Sequence, residues 1–242
     1  ENTTLLEILE QFCGELGCSG EGLDGAQESG RDYLAGSGAV EVVAASLLQD
    51  RLEVTVRVVN RTGHKLPTGI PIRRVYLHAT VRDSSGALVF ESGGLVDGLR
   101  IAGVDADSDP LAWEPHHDLI TSSDQVQVYE GIMGSVEGEA TYTLLRAGRF
   151  LKDNRLPPAG FDPATAPARI LPVGGCLTDD DFSGGSDLVT YRISDLSGSR
   201  YSVTVELLDQ PLSYGIVRDL LEDVEDPYVA RFARMLDSVT PS

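Results

Sequence analysis

A mainly β chain with an antiparallel sandwich at its centre, immunoglobulin-like or jelly-roll-like, is what this sequence predicts, and three observations carry the prediction. From Arg51 onward Leu52, Val54, Val56 and Val58 alternate with Glu53, Thr55 and Arg57, the period of a strand with one buried face. The alternation recurs in short runs separated by Gly, Asp, Ser and Pro turns, about eight in all, as in two-sheet folds. Helical periodicity is confined to the two ends of the chain.

The elements follow in order. Residues 3–12 place Leu5, Leu6, Ile8, Leu9 and Phe12 on a broad apolar stripe, with Asn2, Thr3 or Thr4 as cap, which predicts a short helix. The Gly-rich stretch from Gly14 to Gly38 reads as a linker holding at most one more short helix around Ala26–Leu34, so residues 1–38 form an arm. Ala39–Leu48 pairs with the run from Arg51 across Gln49-Asp50. Val75, Leu77, Ala79 and Val81 repeat the alternation, and Asp83-Ser-Ser-Gly86 turns it into Ala87–Glu91. Further strands are predicted at Gln125–Glu130, Glu139–Arg146, Leu188–Ile193 and Arg200–Leu208. The sandwich domain thus spans 39–210, interrupted by two long connections, 93–123 and 148–185, that call for something to fix them. Past Pro211 the period is helical again through Leu212, Ile216, Leu220 and Leu221. Asp226-Pro227 opens a last helix, making 211–242 a helical extension.

Composition bounds the partners. The chain has 242 residues, 41% hydrophobic and 24% charged, which is ordinary for a folded protein. A formal net charge of −19 repels phosphate backbones and anionic headgroups, and so excludes nucleic-acid binding and docking on a membrane through a basic patch. No apolar run reaches the roughly 20 residues that span a bilayer, and the first residues lack the order of a signal peptide. Membrane insertion is therefore not expected. Cys13 and Cys18 stand close and Cys176 far away. A Cys13–Cys18 disulfide, a pairing of Cys176 with either, and free buried thiols all remain open.

Two acidic groups sit in the long connections. Asp105, Asp107 and Asp109 occupy alternate positions of one, and Asp179, Asp181 and Asp187 belong to a Gly-rich stretch of the other. Such spacing lets a curled backbone turn several hard oxygens on one Ca²⁺, so structural calcium is expected at these residues. The helix-loop-helix calcium loop is excluded, because Pro110 stands where Gly is required and His116 where Glu is. Four histidines are present. His78 falls on the polar face of its strand, while His64, His116 and His117 lie in loops and are the candidates for metal, haem or proton chemistry. Gly-x-Ser-x-Gly, a Walker loop and a dinucleotide fingerprint are absent, and no catalytic set is recognisable.

The run Asn60-Arg-Thr-Gly-His-Lys-Leu-Pro-Thr-Gly69, followed by Arg73-Arg74, Val81-Arg-Asp83 and Val89-Phe-Glu-Ser-Gly93, resembles the haem-free C-terminal domain of secreted bacterial multihaem c-type cytochromes. Glu114-Pro-His116-x-Asp118, Asp124-Gln-Val-Gln-x-Tyr-Glu130, Leu151-Lys-Asp-Asn-Arg-Leu156 and Gly160-Phe-Asp162 continue the resemblance in order, from about Glu41 to Leu208. It implies an extracellular or cell-surface location, the periplasm being the alternative. The family's haem sites do not carry over, since Cys13-Gly-Glu-Leu-Gly-Cys18-Ser lacks both the spacing and the histidine of covalent attachment. No covalent haem is therefore expected in this chain.

Three functions are compatible with these readings. The first is a non-enzymatic, calcium-stabilised structural or assembly module, a subunit of an extracellular filament whose N-terminal arm docks on another copy of itself. The second is an electron-transfer accessory in which His64, His116 or His117 meets the haem of a partner cytochrome chain. The third is a metal-dependent hydrolase built on Asp118 or the aspartate loops.

Overall fold

The computed structural model describes residues 4–239, and the protein is mainly β with helices at both ends. The chain opens with helices α1 (Thr4–Gln11), α2 (Cys13–Leu16) and α3 (Leu23–Ser37). The proposed caps Asn2 and Thr3 lie outside the described residues. Strands β1 (Gly38–Leu48), β2 (Arg51–Asn60), β3 (Arg74–Asp83) and β4 (Leu88–Ser92) follow. The first long connection holds β5 (Leu95–Val96), β6 (Arg100–Ile101), a turn of helix α4 (Asp105–Ser108) and β7 (Leu119–Ile120). Next come β8 (Val128–Gly134), β9 (Ala140–Thr141), β10 (Arg149–Asp153), β11 (Ser186–Ile193) and β12 (Tyr201–Gln210), and helices α5 (Tyr214–Leu221) and α6 (Pro227–Ser238) close the fold.

Two sheets enclose the main core. One runs β1-β2-β11-β7, antiparallel except for the β11/β7 pair. The other runs β10-β8-β3-β12, with β4 also on β3 and β9 also on β8. Inward residues of β2 (Leu52, Val54, Val56, Val58) meet those of β3 (Val75, Leu77, Ala79, Val81) and of β11 (Val189, Tyr191, Ile193). Burying each such side chain contributes about 1.5–3 kcal/mol, so the alternation read in the sequence is what holds the sheets together. The turn at Asp83 forms as expected: its Oδ1 accepts from the Ser85 and Ala87 amides, and Gly86 takes φ 86°.

Three expectations are corrected. The Gly-rich stretch is more than a linker with one short helix, because α3 covers Ala26–Leu34 and runs fifteen residues into β1, with Gln27 donating to Glu10 of α1 at 2.6 Å. The strand expected at Glu139–Arg146 shrinks to β9 followed by a 3-10 turn at Leu144–Arg146, while β10, read as loop, is a strand. The arm also has a home on its own chain: Ile8 is buried with Val217, Met235, Leu236 and Val239 of the C-terminal segment. Cys13 and Cys18 form a disulfide, and Cys176 is a buried free thiol.

Candidate functional site

Asp187 begins the inward parity of β11, in line with Val189, Tyr191 and Ile193, which places a carboxylate where the pattern otherwise buries apolar groups. Its Oδ2 accepts from the Tyr129 hydroxyl at 2.6 Å and from Gln127 Nε2 at 3.3 Å, both from the β8 segment. Its Oδ1 is buried with no partner among the described residues. Burial, together with Asp179 and Asp181, pushes the Asp187 carboxyl up to about 8. The second long connection returns here to supply those two neighbours. Asp118, which leads into β7, completes a group with them in which the three residues offer oxygens within 4.8 Å of one another. Burial and the same neighbouring charges raise Asp118, and burial raises Asp181 even though the Leu188 amide donates to it.

His116 enters from the other side, with Nε2 3.0 Å from Asp179 Oδ2 and 4.0 Å from Asp187 Oδ2. Its tautomer is fixed by two amides. Gln127 Oε1 accepts from the His117 amide at 2.8 Å and Asn154 Oδ1 from the Glu130 amide at 2.9 Å. Both NH₂ groups must therefore face His116 Nδ1, at 2.9 and 3.0 Å. Nδ1 is thus an acceptor, and the proton sits on Nε2, donated to Asp179. Burial keeps the ring below its ordinary pKa and hence neutral at pH 7, against the pull of Asp179. A cation held here sees carboxylate oxygens and an N–H, with no imidazole lone pair. That chemistry suits a hard ion such as Ca²⁺ or Mg²⁺ rather than zinc.

The other expected ligands do not converge. Asp107 is buried in a bidentate pair with Arg74 at 2.7 and 2.6 Å and also accepts from the Ile101 amide. Asp109 accepts from the Leu111 amide, and Asp105 lies on α4, its amide donating to Glu114. Asp105 and Asp107 lie on a helical turn, which directs their side chains apart, and Asp109 follows it in extended backbone. His117 Nε2 is tied to Glu114 Oε1 at 2.7 Å.

His64 differs from both. Asn60 builds its loop: the side-chain amide donates to the carbonyls of His64 (2.7 Å) and Leu156 (2.8 Å), while Oδ1 accepts from the Thr62 amide and hydroxyl. Leu66 bridges to Leu156, and the Leu66–Pro67 bond is cis. His64 Nδ1 lies 3.0 Å from the Lys65 carbonyl, which can only accept, so Nδ1 carries the proton. Nε2 keeps its lone pair and meets no partner among the described residues. Of the three candidate histidines, His64 alone presents an Nε2 able to bind a metal.

Sequence reasoning missed Gln127, Tyr129 and Asn154 as parts of the site. Gln127 and Tyr129 are two residues apart at the entry to β8, and Asp187 falls on a buried parity, which is the signal that could have found them.

No family model matches this chain, and no curated protein matches it. Among solved structures, a penta-haem cytochrome c552 from Thermochromatium tepidum is similar to it, with 17% identity and a TM-score of 0.42 over 81% of this chain and 36% of that one. The chain thus spans little more than a third of that protein, and at this level the likeness carries no chemistry across.

Proposed function

We propose that this chain is a non-enzymatic structural module of the extracellular or cell-surface space, in which a calcium ion at Asp118, Asp179, Asp181 and Asp187 pins the two long connections to the sandwich. The observation that carries the reading is the buried, unpartnered Asp187 Oδ1 close to Asp179 and Asp181, which in turn form a triad with Asp118, with no lysine or arginine paired to any of the four among the described residues. Like charges packed this way cost stability unless a proton or a cation is shared among them. The disulfide supports an oxidising compartment. Assembly with other copies is supported by β1, which among the described strands pairs only with β2 and exposes Val42, Val43 and Leu48. The test is calorimetry in calcium and in chelator, with the ion counted after dialysis. Melting should rise by several degrees with calcium. Unchanged melting and an ion-free protein overturn the reading.

A second reading, an accessory that offers His64 to the haem of a partner cytochrome, is favoured by the free Nε2. Mixing with such a chain should shift its Soret band for the native protein and leave it unshifted for His64→Ala. An identical spectrum with both removes it.

A further inference from the structure

Two cavities meet at His64. The larger, about 400 Å³, lies between the N-terminal helices and the Asn60–Arg74 loop, and its two charged residues, Arg73 and Asp209, are of opposite sign. The smaller, about 290 Å³, is lined by Lys65, Arg155 and Arg169 among Pro158, Phe161 and Ile170, with no acidic residue on its wall. In a chain of net charge −19 this is an inversion of the local field. Behind the wall Asp153, almost wholly buried, is shared by Lys65 (2.7 Å) and Arg155 (2.7 and 2.8 Å). Two cations on one carboxylate leave a net positive charge. Arg169 adds a second, exposed and with no partner among the described residues.

We infer that the smaller cavity binds a small amphipathic carboxylate, its acid group on the Lys65–Arg155–Arg169 wall and its apolar body against Phe161, Pro158 and Ile170. A guanidinium recognises a carboxylate through paired N–H groups, and Arg169 has all of its donors to give. Arg155 does not: Nε and one terminal nitrogen serve Asp153 and the other the Gly69 carbonyl, while the plane lies over Phe150. It therefore fixes the wall and supplies charge, while Arg169 closes on the ligand. The apolar residues between the cations favour an organic acid over an inorganic anion, since small-ligand sites are mostly apolar with a few placed polar groups. The larger chamber beyond His64 lies next to this site and is open to a longer body. None of its lining residues belongs to the aspartate cluster.

The experiment is a titration of the folded protein followed by fluorescence anisotropy, with 2-naphthoate as probe and 2-naphthamide and inorganic phosphate as controls. Naphthoate should bind and saturate, and the uncharged amide and phosphate should each bind at least about tenfold more weakly. Arg169→Glu, at an exposed and unpaired position, should weaken naphthoate by about tenfold or more with melting unchanged. Ile170→Asp is the second variant and should act likewise, through the apolar contact. No saturable naphthoate binding, equal binding of phosphate, or full affinity in both variants overturns the proposal.

Discussion

Replacing Asp187 by Asn tests the cation site through a change of sign. The neutral amide has the shape of a protonated carboxyl: its oxygen still accepts from Tyr129 and Gln127, and its NH₂ supplies the donor that the cluster of aspartates lacks. Asp187 sits at about 8 in the folded protein and near 4 in the unfolded chain. A folded-state value above the unfolded one gives a contribution fully present below about pH 4 and lost as pH rises towards about 8. At pH 7 the ion-free protein therefore forgoes about 4 kcal/mol, from roughly three units at 1.36 kcal/mol each. For a chain of this size that is a difference of roughly 10 °C in melting temperature. In chelator at pH 7, Asp187→Asn should melt higher than the native protein and should lose the decline between pH 4 and 8. In millimolar calcium the order should reverse, because the variant has given up a charged ligand. Differential scanning calorimetry at two pH values, with and without the ion, reads all of this. A variant that melts below the native protein in chelator, or that gains as much from calcium as the native protein does, refutes the reasoning.

Other outcomes follow from the same geometry. Asn60→Ala removes four hydrogen bonds that hold the His64 loop to itself and to Leu156, and should cost about 2–4 kcal/mol by urea unfolding. Asp107→Asn leaves the Arg74 guanidinium buried without a counter-charge and should cost about 3–5 kcal/mol by the same assay, far more than loss of a calcium ligand in chelator. Val42→Lys places a charge on the open β1 strand without touching the core, so melting should hold while any assembly seen by sedimentation is lost; assembly that survives it uses another surface.

The sandwich was legible because the apolar positions of β2, β3, β11 and β12 repeat with period two, and in β2 and β11 burial follows that parity residue by residue. Misreadings occurred where a distant partner decides the structure. Gly25, Gly30 and Gly36 look like linker residues, yet α3 persists through them, tied to α1 by the Gln27–Glu10 hydrogen bond. The run after Glu139 has strand composition, but Leu145 is 99% exposed and Tyr142 packs against Gly215 of α5, so no neighbour extends β9. Of the two acidic groups, Asp105, Asp107 and Asp109 looked the more regular, and that regularity belongs to a helical turn and to Arg74, 33 residues away. The spread-out Asp179, Asp181 and Asp187 converge because one of them lies on a strand that enters the core. Spacing along a chain ranks such groups poorly, whereas a charge on the buried parity of a strand ranks them well.

The two sites share one short segment of backbone. Asp153 and Arg155 turn to the Lys65 side, while Asn154 between them turns to His116, as successive residues of an extended chain must. Leu156 then exchanges both backbone hydrogen bonds with Leu66, at 2.9 Å each. Any loosening of the aspartate cluster releases His116, then Asn154, and so frees the strand to which the His64 loop is bound. Hydrogen exchange should record this: the amides of Leu66 and Leu156 should exchange faster in chelator than in calcium, whereas Val56 and Val189, in the middle of the β2–β11 ladder, should exchange alike in both. Equal protection of Leu66 and Leu156 under the two conditions would mean that residues 153–156 are held from the sheet alone, and that the ion stabilises its own loops and nothing beyond them.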